Sequence, residues 1–184
     1  MILYLTRHGQ TDYNIEKRLT GSSDIPLNET GISQAEAIAE SLADVKIDVI
    51  LSSPLQRALK TSQIIAEKHE NLPIITMDGL MERNMGVCEG LEYGEATERH
   101  PELDIVGAIK DIDAAPEGGE SLREFDRRVS ETLDEIKAKY QEKTVLVVCH
   151  GLTSRIINKC INNLTYDKMN EFLLYNCQVV KYEI

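Results

Sequence analysis

Cysteine is scarce and unpatterned in this chain of 184 residues. Its four cysteines, Cys88, Cys149, Cys160 and Cys177, include no Cys-x-x-Cys pair, and 87 residues precede the first of them. That distribution argues against a secreted disulfide framework and suits reduced thiols in the cytosol. Long apolar runs are missing too. None approaches the roughly 18 residues of a membrane span, and Arg7 arrives too early for the apolar part of a secretory signal. Positive charge is in deficit, with 20 Lys and Arg against 31 Asp and Glu for a formal net charge of -11. A surface of that sign argues against nucleic acid or an anionic membrane as partner, because both need a basic face. No repeat, low-complexity segment or linker interrupts the chain. The expectation is a cytoplasmic protein of one domain, residues 1–184, that buries about 70% of its unfolded surface with no metal or disulfide staple. Oligomeric state is not legible at this level. An anionic substrate would meet an adverse global field, so its site must supply local positive charge.

Strand and helix patterns alternate. A short aliphatic run ends at Arg7-His8-Gly9, and after a polar loop to about Asn28 the stretch Thr30 to Ala43 puts Ile32, Ala35, Ile38, Ala39 and Leu42 on one helical stripe. Asp48 to Ser52 predicts a second strand. Ser53-Pro54 then reads as N-cap and first residue of a helix with Leu55, Ala58, Leu59, Ser62, Ile65 and Ala66 inward. Pro73 to Met77 predicts a third strand. From Gly79 to Gly119 no period persists, so this stretch is expected to be irregular and to shape the substrate site. Ser121 and Glu124 have capping-box spacing ahead of the stripe Leu122, Phe125, Val129, Leu133, Ile136 and Tyr140. A strand ending at His150, a helix carrying Ile156, Ile157, Cys160 and Ile161, and a last strand from Gln178 to Tyr182 complete the pattern. The alternation specifies an α/β three-layer sandwich, a mainly parallel central sheet flanked by helices.

Two of these strands share one grammar: Ile2 to Thr6 runs into Arg7-His8-Gly9, and Val145 to Cys149 runs into His150-Gly151. Placed parallel in one sheet, they end on the same edge, where open α/β sheets bind ligands, and two histidines about 140 residues apart in sequence meet. Arg57 falls in the first turn of its helix, where a cation is unfavourable against the helix dipole unless an anion is bound. Glu82 follows the third strand. This inventory suits phosphoryl transfer, which needs an in-line nucleophile, an acid at the leaving oxygen, and forked donors for the equatorial oxygens. A neutral imidazole is a competent nucleophile near pH 7 when its other nitrogen donates to a fixed acceptor.

Leu5-Thr6-Arg7-His8-Gly9-Gln10-Thr11 resembles the opening motif of the histidine phosphatase superfamily, also called the phosphoglycerate mutase-like family. The likeness continues through Asn14, Thr20-Gly21, Leu27 to Gly31 with Gln34-Ala35, Ser52 to Ala58 with Thr61, Glu82, Gly118-Gly119-Glu120-Ser121, and His150-Gly151 with Arg155. The resemblance implies that His8 takes the phosphoryl group and that Glu82 protonates the leaving alcohol and then activates water. It implies that Arg7, Arg57 and His150 cradle the phosphoryl group, with Asn14, Thr20, Gly21, Gly151 and Leu152 in phosphate and substrate contacts and neither metal nor cofactor required. Leu152 stands where members commonly carry a second glycine. The segment Glu82 to Gly90 resembles the phosphatase branch more than the mutase branch. The expected activity is hydrolysis of small phosphorylated metabolites. A phosphoglycerate mutase and a non-catalytic phosphate-binding module remain as alternatives. Sugar phosphates, ribazole phosphate, phosphoglycerates and fructose 2,6-bisphosphate all fit the family. The segment Leu91 to Pro116, with only Arg99, His100 and Lys110 basic, suggests a substrate with one phosphate.

Two competing readings are weaker. Cys149-x5-Arg155 has the spacing of cysteine-dependent phosphatases, but its loop holds His150 and Leu152 where small residues are needed. A zinc site would place a cation beside paired arginines, and no His-x-x-Glu-His spacing supports it. His69 and His100 are expected at the surface.

Overall fold

The computed structural model of the chain describes residues 1–70, 72–103 and 111–184. Strands β1 (Ile2–Arg7), β2 (Val49–Ser52), β3 (Ile74–Thr76), β4 (Thr144–Cys149) and β5 (Val179–Glu183) form one sheet in the order β3-β2-β4-β1-β5. The first four are parallel and β5 runs antiparallel to β1. Helices α2 (Glu29–Ser41) and α3 (Gln56–Glu67) cover one face. Helices α5 (Leu122–Lys139), α6 (Gly151–Ile161) and α7 (Tyr166–Met169) cover the other, while α1 (Asp12–Ile15) and α4 (Tyr93–Arg99) lie in connections.

A strand buried on both faces needs apolar residues at every position, and that is why β1 and β4 read as continuous aliphatic runs. Leu3, Leu5, Val145, Val147 and Cys149 point into the core with Phe125, Val129 and Ile156. Leu146 and Val148 point the other way, into the core with Ile38, Ala39 and Ile65. The chain leaves β1 toward α2 on one face and leaves β4 toward α6 on the other. The crevice between the carboxyl ends of these neighbours is therefore the switch point of the sheet. Register pairs Arg7 with Cys149, and the His8 amide donates to the Cys149 carbonyl at 3.0 Å. His8 and His150 consequently leave the sheet side by side.

Several local expectations change. Helix α3 begins at Gln56 with Leu55 as its cap residue and no side-chain cap. Ser53 is instead drawn to His150, and its oxygen accepts from the Leu55 amide at 3.3 Å. Ile32 is 37% exposed, on the outer side of α2. Tyr140 caps the C-terminal end of α5 rather than continuing it. The stretch from Gly79 to Gly119, expected to be irregular, holds α4 and a 3-10 turn at Gly86–Cys88. The capping box is present as expected, with the Ser121 Oγ accepting from the Glu124 amide at 3.1 Å and the Ser121 amide donating to Glu124 Oε2 at 2.9 Å. A second, unexpected one joins Thr11 and Asn14 at the start of α1.

Candidate active site

A cavity of about 360 Å³ opens at the β1/β4 crevice. Arg7, His8, Arg57, Glu82, Gly151 and Leu152 line its inner end, and Asn14, Thr20 and Gly21 its wall. His150 lies behind His8 rather than on the wall, fully buried, with the two rings 5.1 Å apart between centroids.

The His8 ring is oriented by its own turn. Nδ1 lies 2.6 Å from the Gly9 carbonyl oxygen, which accepts only if Nδ1 carries the proton. That bond sets the tautomer and leaves the Nε2 lone pair toward the cavity. Gly9 itself has no room for a side chain, because a Cβ there would lie 2.3 Å from the Gly31 carbonyl oxygen at the start of α2. Its amide donates to Thr61 Oγ1 at 3.1 Å. Burial, with the charges of Arg57 and then Arg7, holds the His8 imidazole well below its ordinary pKa, against the opposing Gly9 bond. Burial and the same two arginines, with His8 between them in weight, do likewise to His150. Both rings are therefore neutral at pH 7.

Arg57 is 1% exposed on the first turn of α3. Its Nη1 donates to the Ser23 carbonyl at 2.7 Å and its Nη2 to the Gly21 carbonyl at 2.8 Å. The guanidinium thus holds the 20–24 loop from inside while burial lowers its pKa to about 10. Glu89 holds the same loop from outside, accepting from the Ser22 amide at 2.7 Å, the Ser22 hydroxyl at 2.9 Å and the Ser23 hydroxyl at 2.5 Å. Gly21 sits at φ +52°, and a Cβ there would lie 2.2 Å from Glu89 Oε1. Only glycine satisfies both the left-handed backbone and that approach. The Asn14 Oδ1 accepts from the Thr11 amide at 3.1 Å and from Asn176 Nδ2 at 3.3 Å, which leaves its own Nδ2 to the cavity.

The Glu82 carboxylate faces the N-terminus of α6. Oε2 accepts from the Leu152 amide at 3.0 Å, and Oε1 from the Thr153 amide and hydroxyl, each at 3.1 Å. The Leu152 amide is therefore spent on Glu82, and Leu152 meets the cavity with its side chain. Among the described residues, four buried side-chain nitrogens have no hydrogen-bond partner, and three of them are Arg7 Nε, Arg57 Nε and His150 Nδ1. Unpaired buried donors such as the two arginine Nε groups, at one site, suit an anion.

The cavity also takes Arg155, which the sequence offered as part of the family likeness without a role, and residues it did not single out, Arg83, Tyr93 and Asn170, with Leu19 and Met85 as its apolar wall. Arg155 Nη1 donates to Asn170 Oδ1 at 3.3 Å. Arg155 lies four positions after Gly151, one helical turn along the same face of α6, a spacing that identifies it once Gly151 is placed at the mouth. Among the described residues of the segment Leu91 to Pro116, Tyr93 lines the cavity, while Arg99 pairs with Glu95 at the surface. Lys110 lies outside the described residues. Further cations on the cavity come from outside that segment, from α6 and from the residue after Glu82. His69 and His100, expected at the surface, are both half-buried, and neither lines the cavity. Cys149 is fully buried in the core and burial drives its thiol far upward, so no thiolate is available for the Cys-x5-Arg chemistry.

The depressed histidines make stability pH-dependent in a definite sense. Below about pH 6.5 the unfolded chain binds protons that buried His8 and His150 refuse, so stability falls as pH drops until the folded pKa values are reached. Each ring contributes up to about 1.4 kcal/mol per pH unit in that window. Urea unfolding at pH 7.5, 6.5 and 5.5 checks this, and His150→Asn should flatten the slope. Equal stability at pH 6.5 and 5.5 in the parent would contradict it.

Fold and cavity define an α/β protein with two histidines and two arginines gathered at its sheet switch point. The chain belongs to the histidine phosphatase superfamily, branch 1, whose family model matches residues 3–184. It is 34% identical over 179 residues to the uncharacterized phosphatase PhoE of Bacillus subtilis (strain 168), covering 88% of this chain and 86% of that one. It is 32% identical over 183 residues to phosphoserine phosphatase 1 of Hydrogenobacter thermophilus, covering 99% and 84% respectively. The alpha-ribazole phosphatase structure from Shigella flexneri superposes with a TM-score of 0.88 at 26% identity, covering all of this chain and 91% of that chain. Other curated relatives are longer proteins, of which this chain spans 66% or as little as 40%. No helix among the described residues is long and apolar enough to cross a membrane.

Proposed function

We propose that this chain hydrolyses small phosphomonoesters through a phosphohistidine at His8. The observation that carries the reading is the 2.6 Å bond from Nδ1 to the Gly9 carbonyl, which presents an unprotonated Nε2 between Arg7 and Arg57. Nε2 attacks phosphorus, the bond from phosphorus to the alcohol oxygen breaks, and protonated Glu82 gives that oxygen its proton. Glu82, now a carboxylate, takes a proton from water as water attacks the phosphohistidine, which releases inorganic phosphate and restores both residues. Arg7 and Arg57 offer their unpaired Nε groups to the equatorial oxygens. With Ser53 donating to Nε2 of His150, the Nδ1 of that ring carries a proton for the same charge.

The relatives named as phosphatases support hydrolysis as the outcome. The cavity volume suits a small metabolite, and Arg83 and Arg155 on the wall suit a polar, anionic body beyond the ester. Acid-labile, base-stable phosphate on His8 after rapid quench with labelled ester is the expected result. A burst of product with no label on the protein would overturn the covalent route.

A further inference from the structure

Glu82 belongs to an irregular segment between a 3-10 turn at Asp78–Leu80 and the turn at Gly86–Cys88, with no helix or strand of its own to fix it. A proton donor must nevertheless be held to a fraction of an ångström. Its carboxylate is tied to α6, and the question is what fixes its backbone. Arg128, on α5, answers it. The guanidinium forms a fork with Glu120, Nε to Oε1 and Nη2 to Oε2, both at 2.8 Å. Nη1 also donates to the carbonyls of Gly79 at 3.1 Å, Met81 at 3.2 Å and Asp78 at 3.3 Å, and Nη2 to the carbonyl of Glu82 itself at 3.4 Å. Glu120 completes the clamp: its Oε2 accepts from the Asn84 amide at 2.9 Å, and its carbonyl from Arg83 Nε at 2.9 Å. The two side chains are only about a quarter exposed, 27% and 24%, so water competes weakly for these bonds.

We infer that the Arg128–Glu120 pair is the positioning device for Glu82, holding the backbone on both sides of the proton donor while touching neither the phosphoryl cradle nor the substrate. The inference rests on Glu82 acting as the proton donor of the proposed reaction. Loosening the clamp should therefore harm esters in proportion to their need for a proton.

The test measures kcat and KM for Arg128→Gln on p-nitrophenyl phosphate, whose leaving group departs without a proton, and on an alkyl phosphomonoester that the parent turns over. Glu82→Gln serves as control. Arg128→Gln should lower kcat/KM, which reports the transfer to His8 and not the later attack of water, about 30-fold on the alkyl ester and less than about three-fold on the aryl ester, because misplacing an acid by about an ångström forfeits most of its contribution. Inhibition by inorganic phosphate should stay within about two-fold of the parent, since the phosphate contacts are untouched. A uniform loss on both esters, or none on either, overturns the inference. If Arg128→Gln fails to fold, Glu120→Gln carries the same test, because the amide keeps the shape of the carboxylate but breaks one arm of the fork. Should Glu82→Gln itself lower kcat/KM equally on both esters, its proton-donor role fails and this inference fails with it. Leaving-group selectivity in Glu82→Gln without any in the clamp variants refutes the clamp alone.

Discussion

His8→Asn should abolish turnover, lowering kcat by about 10⁴-fold or more, because it removes the ring nitrogen that attacks phosphorus in the proposed reaction. Asparagine is smaller than imidazole but still polar, so the Gly9 turn is left a donor and the strand ladder through the His8 amide is untouched. The loss should therefore fall on chemistry and leave inorganic phosphate inhibition in place. Neither obvious replacement nucleophile is positioned to take over. His150 is buried behind the wall with its Nε2 engaged by Ser53, and the Cys149 thiol is sealed in the core. Stopped-flow and steady-state rates on p-nitrophenyl phosphate check this, and a residual rate within about 100-fold of the parent would remove His8 from the role of nucleophile.

Arg57 should be nearly as costly to alter, for a different reason. Its side chain acts in two directions at once, toward the loop carbonyls of Gly21 and Ser23 and, through Nε, toward the cavity. Arg57→Ala leaves two carbonyls without donors and opens a hole in a site that is 1% exposed, so about 2–4 kcal/mol of stability should go with about 10³-fold in kcat/KM. Arg57→Lys is the sharper test. A single ammonium cannot span both carbonyls and an oxyanion, so about 100-fold or more of kcat/KM should still be lost while much of the stability returns. Kinetics paired with thermal unfolding separate the two effects. Retention of kcat/KM within about three-fold in the lysine variant would show that charge alone suffices.

The parts of this molecule that were legible in sequence are those where one stretch of chain carries both pattern and consequence. Continuous aliphatic runs ending in His-Gly specify buried parallel strands, and parallel strands must end on one edge, so the meeting of His8 and His150 follows from pattern alone. The Ser121 capping box is legible for the same reason. Ser53 was misread because Ser-Pro is a sound helix-start signal locally, whereas its hydroxyl goes to a histidine 97 positions away. Likewise Ile32 fits the apolar stripe of α2 by spacing, yet it projects to solvent because the stripe that packs is the narrower one of Ala35, Ile38 and Ala39. The wall residues Arg83, Tyr93 and Asn170 carry no local signature, since each reaches the cavity only through the course of a connecting segment. Arg128 was still less accessible: on a helix otherwise read for its apolar face it resembles any solvated cation, and its partners are backbone carbonyls that no sequence pattern marks.

The two histidines sit at the ends of two interior strands, locked by main-chain ladder bonds, whereas the rest of the cavity lining comes largely from separate stretches around residues 14–21, 83–93 and 155–170. Exchange of those outer side chains need not disturb the spacing of the strands beneath. A scaffold divided in this way lets the outer lining of the cavity vary by a few replacements while the histidine pair stays as rigid as the interior that carries it.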